Sequence, residues 1–328
     1  MNHNDVRHLP PPAPRPLRRG PRPAPPGVEY HRVLAGEERR IGRGILAIAL
    51  VVGGMYAFNI AISVATGLID VRLGRTPPTL GGTDFTPLYH ASNLVSIALL
   101  VPWSMLVQRW LYGVRGASLH SVLSGFRFDV FGRALLIIGP VWLSVSLIGL
   151  HFLPVEQGEF SSAYLVAIFA SALLFTPLQA AGEEYGFRGL VFRVAGSWGR
   201  GPRTGLVLGT AVSSVVFAAV HLSADPWFNV WCLSLGVAFA VITWRTGGLE
   251  IAVVIHALNN TLTALLLNVL HADQGAALER SAGTLSPAVL IPSAVVLAIA
   301  AVVWLRTRGT GPALTPGEAR PSRVPRAE

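Results

Sequence analysis

The sequence predicts an all-α membrane protein, a polytopic bundle of about eight transmembrane helices. Of its 328 residues, 52% are hydrophobic and only 13% are charged, whereas soluble domains carry about 25% charged residues. Eight apolar runs are each close to the roughly 20 residues that a bilayer span needs: 44–68, 89–112, 134–153, 161–182, 204–222, 227–244, 249–270 and 286–305. This composition excludes a soluble globular domain and a globally disordered chain.

The apolar runs divide the chain into three parts. A Pro- and Arg-rich arm at 1–43 and a Pro-, Gly- and Arg-rich tail at 309–328 flank the transmembrane bundle at 44–308. Neither terminal part contains an apolar core, so both are predicted to be disordered and cytoplasmic. The first 30 residues also lack the apolar stretch of a signal peptide.

The arginines are distributed unevenly along the chain. Residues 1–43 hold nine of them, whereas the loop at 154–160 has Glu156 and Glu159 and no arginine. The positive-inside rule therefore predicts a multi-pass membrane protein with both termini in the cytoplasm. The 26 basic residues include no lysine, which is typical of a GC-rich bacterial genome and so predicts a bacterial inner membrane. Topology and contact with the lipid bilayer explain the net charge of +9, so no nucleic acid is predicted as a partner. The glycine-rich stretch at 199–205 lacks a P-loop lysine, so no nucleotide site is predicted.

Three clusters of polar side chains interrupt or end the apolar runs of the second half. Ionisable side chains are costly in a bilayer, so each cluster is a candidate functional site. The clusters are Glu183, Glu184 and Arg188; then His221; then His256 with Asn260.

Helical spacing separates the roles of the two carboxylates. Glu184 and Arg188 are four residues apart and share a helix face, which favours an ion pair. Glu183 points about 100° away from this face, so the arginine does not neutralise it. One carboxylate held by an arginine and one free to accept a proton is an arrangement that suits a general base.

The polar clusters together suit the hydrolysis of an amide. Glu183 with His221 can take a proton from water, while His256 and Asn260 can donate hydrogen bonds to the developing oxyanion. Alternatively, Glu183, His221 and His256 could bind a divalent metal such as zinc, which would activate the water. The spacing does not choose between these two chemistries.

The three clusters resemble the motifs of a known family. E-E-x-x-x-R (Glu183, Glu184, Arg188), F-x-x-x-H (Phe217, His221) and H-x-x-x-N (His256, Asn260) are similar to those of the CPBP family. This family comprises CAAX prenyl proteases and the bacteriocin-processing or immunity proteins called Abi. The resemblance covers roughly residues 160–270.

The resemblance implies an intramembrane endopeptidase that cleaves a peptide or a membrane-associated protein. It implies that Glu183 is the water-activating base, that His221 assists it, and that His256 and Asn260 hold the oxyanion. Glu184 and Arg188 would shape the site. Family members are described both as metalloproteases and as metal-independent glutamate proteases, so the resemblance leaves the metal open.

Two other functions are compatible with the same residues. A non-catalytic family member would act as an immunity or scaffold protein through its contacts. A transporter would use the buried charges as a coupling-ion site.

If the three clusters form one site, the helices must bring Glu183, His221 and His256 to the same depth in the membrane. If helix five ran straight outward from Arg203, His221 would lie about 27 Å along it and far from Glu183. We therefore expect helix four to continue through 184–197 and helix five to stop near His221, before a buried turn at 224–226. The side chains of Glu183, His221 and His256 are then expected within about 6 Å of one another.

Overall fold

The computed structural model describes residues 20–37, 40–150, 157–273, 275 and 281–317. In this part of the chain the regular elements are helices, with isolated β-bridges and no strand. The helices are α1 Ile41–Arg72, α2 Pro87–Ala98, α3 Leu100–Tyr112, α4 Phe128–Leu150, α5 Ser162–Glu184, α6 Phe192–Gly196, α7 Pro202–Ala219, α8 Pro226–Thr246, α9 Glu250–Val269 and α10 Ile291–Thr307.

Within the described residues, eight helical segments are long and apolar enough to cross a membrane. The predicted all-α polytopic fold is thus confirmed. Helices α2 and α3 form one of these segments. Another, Ser162–Gly196, consists of α5, a seven-residue π-helical turn at Tyr185–Val191, and α6. The fourth span therefore continues beyond its apolar run, as far as Gly196. Helix α7, which is the fifth span, ends at Ala219.

Apolar side chains cover much of the outer surface of the bundle. Leu136, Ile137, Val166 and Val207 are between 67% and 77% exposed. Such exposure is costly in water and favourable in lipid, which agrees with a membrane-spanning bundle.

The core of the bundle surrounds the π-helical turn. Phe187, Leu190 and Val191 from this turn are completely buried. Helix α5 packs against α2 and α9, and Gly182 permits a close approach to α2. A Cβ atom at Gly182 would lie 2.1 Å from the carbonyl oxygen of Ile97, so glycine is required beside the predicted catalytic glutamates.

Residues 20–37 form a segment that we call the N-terminal strap. Tyr30 is its anchor: the ring is fully buried, the hydroxyl donates to the carbonyl of Leu119 over 2.5 Å, and the guanidinium of Arg193 lies 3.8 Å from the ring centroid. Burial raises the pKa of Tyr30 to about 12. The phenol therefore stays protonated and keeps its donor.

The strap also pairs with the C-terminal tail. The backbone N–H of Thr315 donates to the carbonyl of Val28 over 2.9 Å. The prediction that 1–43 and 309–328 are disordered is therefore wrong for the strap and for the stretch around Thr315. The composition of the segment is polar and Pro-rich, but the buried ring of Tyr30 and the contacts that buried Arg193 requires stabilise it. Residues 1–19 and 318–328 lie outside the described residues.

Candidate active site

The end of α5 supplies the two glutamates of the predicted site. Glu183 is 6% exposed and Glu184 is fully buried. They stand at the junction of α5 with the π-helical turn, a local irregularity that often marks functional sites. Buried carboxylates need partners to offset lost hydration, and each of them has several.

His256 of α9 lies between the two carboxylates. Its Nε2 is 3.2 Å from Oε2 of Glu183, and its Nδ1 is 2.7 Å from Oε1 of Glu184. A neutral imidazole has only one N–H. Both contacts can be hydrogen bonds only if the cluster holds one extra proton, so that either the imidazole is doubly protonated or one of the two glutamates is protonated. A proton can therefore be shared between His256 and the glutamates at this point in the bundle.

Arg188 forms the predicted ion pair with Glu184. Its Nε lies 3.2 Å from Oε2 of that glutamate, and both side chains are fully buried. The guanidinium carbon is 3.9 Å from the ring centroid of Phe217 and 5.1 Å from that of Phe239. Stacking between two rings suits a planar guanidinium. Glu184 is therefore held by an arginine and a histidine, as a positioning group would be.

His221 follows the last turn of α7, where the chain leaves the helix. Its Nδ1 lies 2.7 Å from the carbonyl oxygen of Phe217. A carbonyl only accepts, so Nδ1 is the protonated nitrogen, and in the neutral ring the lone pair is on Nε2. This tautomer equips Nε2 to accept a proton.

Glu183 and His221 line a common cavity of about 200 Å³. Its remaining walls come from Met55, Tyr56, Asn59, Ile97 and Val220. The ring of Phe217 lies between the two histidines, 4.9 Å from His221 and 5.9 Å from His256 by centroid. Because His256 also contacts Glu183, members of the three predicted motifs are neighbours, and Glu183 and His221 share the cavity.

Asn260 reaches Glu183 through a residue that the sequence reasoning missed. Its Nδ2 donates to Oε1 of Gln179 over 3.1 Å, and Nε2 of Gln179 donates to Oε1 of Glu183 over 2.7 Å. Asn259 in turn donates to Oδ1 of Asn260. The signal for Gln179 was available: it is a polar residue in an apolar run, one helical turn before Glu183.

The buried turn expected at 224–226 is built around Asp225. Its carboxylate is fully buried and caps α8 by accepting from the N–H of Phe228 over 3.0 Å. It also accepts from the N–H groups of Gly283 and Leu285. These backbone donors, Phe228 first, hold the pKa of Asp225 below its usual value. The turn ends α7 beside His221.

Glu183, His221 and His256 are also the predicted zinc ligands. A ligating histidine commonly donates its other ring N–H to a carboxylate, and Nδ1 of His256 lies 2.7 Å from Oε1 of Glu184. Among the residues that the structure describes, no group of three His, Cys, Asp or Glu side chains is arranged to hold a metal ion.

The fold and the site define a multi-span helical membrane protein with a polar cluster inside its bundle. Residues 162–262 match the family model described as "Type II CAAX prenyl endopeptidase Rce1-like". This segment contains all the predicted site residues, so the predicted resemblance is confirmed there, and it supports a function of the CAAX-protease type.

The match to a curated relative also covers only part of each chain. The uncharacterized protein YyaK of Bacillus subtilis (strain 168) is 30% identical over 116 residues, which is 33% of this chain and 37% of that protein. The chain thus spans little more than a third of that relative. No solved structure matches the chain.

Proposed function

We propose that the protein is an intramembrane endopeptidase that hydrolyses a peptide bond in a membrane-associated protein or peptide. The observation that carries this proposal is that buried Glu183 and His221 line one cavity. A carboxylate and an imidazole that line the same small cavity suit the activation of water.

The first step of the proposed reaction forms the carbon–oxygen bond. A water molecule in the cavity attacks the peptide carbonyl carbon and gives one proton to Glu183, while Nε2 of His221 accepts a hydrogen bond from the other hydrogen of that water. The carbonyl oxygen becomes an oxyanion. Stabilising that charge is the largest single requirement of amide hydrolysis.

His256 is suited to this requirement because its Nε2 lies 3.2 Å from Glu183 and can carry a proton there. Once Glu183 has accepted a proton, its attraction for the Nε2–H of His256 weakens, and that N–H becomes available to the oxyanion. Asn260 assists from the same face of α9. Glu184 and Arg188 keep the imidazole in place during the exchange.

The second step breaks the carbon–nitrogen bond. The proton held by Glu183 passes to the leaving nitrogen, so that a new amine and a new carboxylic acid leave the cavity and the enzyme returns to its starting state. We assign the substrate wall to α1, because Tyr56 and Asn59 of this helix line the cavity. A prenyl group on the substrate is not required by this chemistry.

In the zinc alternative, an ion would replace the proton between Nε2 of His256 and Glu183, while Nδ1 of His256 would keep its contact with Glu184. We propose the metal-free route, because no group of three His, Cys, Asp or Glu side chains among the described residues is arranged to hold a metal ion, and we use metal dependence as a test. Purified protein is assayed on the identified substrate with a strong chelator and with added zinc. Activity that survives chelation supports the metal-free route, whereas activity restored only by zinc refutes it.

The decisive experiment compares membrane and peptide fractions of cells that carry the wild type, Glu183→Gln or Glu159→Gln. The last variant is a matched control, since Glu159 is an exposed glutamate outside the spans. We expect a precursor to accumulate only with Glu183→Gln, with cleavage reduced about 100-fold or more. Unchanged peptides and an unchanged phenotype would favour the immunity or scaffold role, and substrate flux in liposomes would favour a transporter.

We also propose that the protein resides in a bacterial inner membrane with both termini in the cytoplasm. The support is the excess of arginine in the terminal segments and its absence from the loop at 154–160.

A further inference from the structure

A second cavity lies at the start of α1 and shares no lining residue with the cavity beside Glu183. It measures about 370 Å³ and is enclosed by the N-terminal strap, the first residue before α1 and the end of α3. Arg22, Arg40, Glu37 and Tyr112 supply its polar walls. None of these residues takes part in the proposed hydrolysis.

Arg40 brings a positive charge to this cavity. Among the described residues its guanidinium makes no hydrogen bond and no ion pair within 4 Å, Glu37 included. Arg22 adds a second cation, whose Nη2 donates to the carbonyl oxygen of Tyr112 over 3.1 Å. Each guanidinium has five N–H donors, so both arginines retain capacity for an anion.

Tyr112 adds a neutral donor. Its side chain is 5% exposed, and within the described part of the chain its hydroxyl has no hydrogen-bond partner. A buried hydroxyl without a partner is costly. Together with two arginines, this hydroxyl suits a ligand that brings several acceptor oxygens.

Exposed apolar side chains also lie on the ends of α1 and α3 that border the cavity. Ile45 of α1 is 57% exposed and Trp110 of α3 is 61% exposed. The two helix ends are adjacent, because Nη1 of Arg43 donates to the carbonyl of Leu111 over 2.9 Å. A ligand with a charged head in the cavity would therefore find a hydrophobic surface for its remainder.

We propose that this cavity binds the phosphate of an anionic phospholipid, whose acyl chains lie along Ile45 and Trp110. Arg22 and Arg40 contact the phosphate oxygens, and the hydroxyl of Tyr112 donates to one of them. Glu37 at the cavity wall disfavours a second negative charge close by. Such a lipid would join the strap to the first and second spans.

The test measures lipid-dependent thermal stability of the purified full-length protein in a neutral detergent. Phosphatidylglycerol, phosphatidylcholine and inorganic phosphate are titrated separately. We expect phosphatidylglycerol alone to raise the unfolding temperature. Its apparent affinity should fall about fivefold in Arg40→Gln, since one arginine near an anionic headgroup contributes about that factor. It should fall further in the double variant Arg22→Gln/Arg40→Gln.

Two further variants make the result specific. Tyr112→Phe keeps the ring and removes the orphaned hydroxyl, so it should weaken binding while preserving the fold. Arg133→Gln removes an arginine from an exposed ion pair on another helix and should leave binding unchanged. Equal stabilisation by phosphatidylcholine or by inorganic phosphate would overturn the proposal, as would equal losses in Arg40→Gln and Arg133→Gln.

Discussion

At the scale of single residues, Gln179 connects the amide of Asn260 to the carboxylate of Glu183 through two hydrogen bonds. We expect Gln179→Leu to slow cleavage about 10-fold by releasing one oxygen of Glu183, a smaller loss than that of Glu183→Gln. The ratio of precursor to product in cells, normalised to the amount of protein in the membrane, measures it. Cleavage at the wild-type rate would show that Glu183 is positioned without the glutamine.

Arg188 is a single residue on which the stability of the cluster depends. In Arg188→Lys the point charge of lysine loses the stack between Phe217 and Phe239 and the geometry of the guanidinium contact. Leaving Glu184 poorly paired in the interior should lower the free energy of unfolding by about 3 kcal/mol or more.

Thermal unfolding in detergent measures this loss. The exposed Arg133–Asp129 pair provides the control, because Arg133→Lys should change stability by less than about 1 kcal/mol. A similar effect of both substitutions would contradict the role assigned to Arg188.

At the scale of elements, the contact between α2 and α5 depends on Gly182. A methyl group there meets the backbone oxygen of Ile97, so Gly182→Ala should separate the two helices and displace Glu183. Gly132→Ala in α4 is the matched control, because a Cβ there meets nothing within 4 Å. We expect reduced cleavage and a lower unfolding temperature for the first variant only, by the assays above.

The turn between α7 and α8 should respond to acid through Asp225. Because backbone N–H groups lower its pKa in the folded state, its contribution is present at neutral pH. That contribution is lost as the pH falls from about 4, the ordinary value of aspartate, through the folded-state pKa.

Asp225→Asn should therefore unfold at a lower temperature than the wild type at pH 7 and show a shallower decline below pH 4. Asp129→Asn, at an exposed site, should follow the wild-type profile. Parallel acid profiles for all three proteins would remove the assigned role of Asp225.

The elements differ in how well the sequence predicts them. The apolar runs indicate the spans because side-chain hydropathy acts locally, and four-residue spacing correctly pairs Glu184 with Arg188. The same local signals miss the N-terminal strap, since Tyr30 becomes an anchor only through Leu119 and Arg193, which are distant in sequence. They also miss the cavity wall from α1, because Asn59 lies more than 100 residues before Glu183.

For the molecule as a whole, the pairing of Val28 with Thr315 places the N-terminal strap and the stretch around Thr315 on one side of the bundle. Cysteine labelling can test this, because Cys232 is the sole cysteine and is buried. We expect Gly20→Cys and Thr310→Cys to react with a membrane-impermeant maleimide from the same side.

A cysteine at Gln157 is the counterpart on the other side, since this residue pairs with Ala272 near the end of α9. The cysteine of Gln157→Cys should react with the same maleimide only in vesicles whose orientation is opposite to that in which Gly20→Cys and Thr310→Cys react. Labelling of all three positions from one side would refute the proposed topology.

The π-helical turn has a further consequence for the long fourth span. A π turn holds one more residue than an α turn, so it sets the rotational phase between the two halves of Ser162–Gly196. Loss of one residue within the turn would rotate everything beyond it by about 100°. Arg193 would then face away from Tyr30 while Glu183 kept its place, so one inserted residue lets a single helix serve two separate faces of the protein.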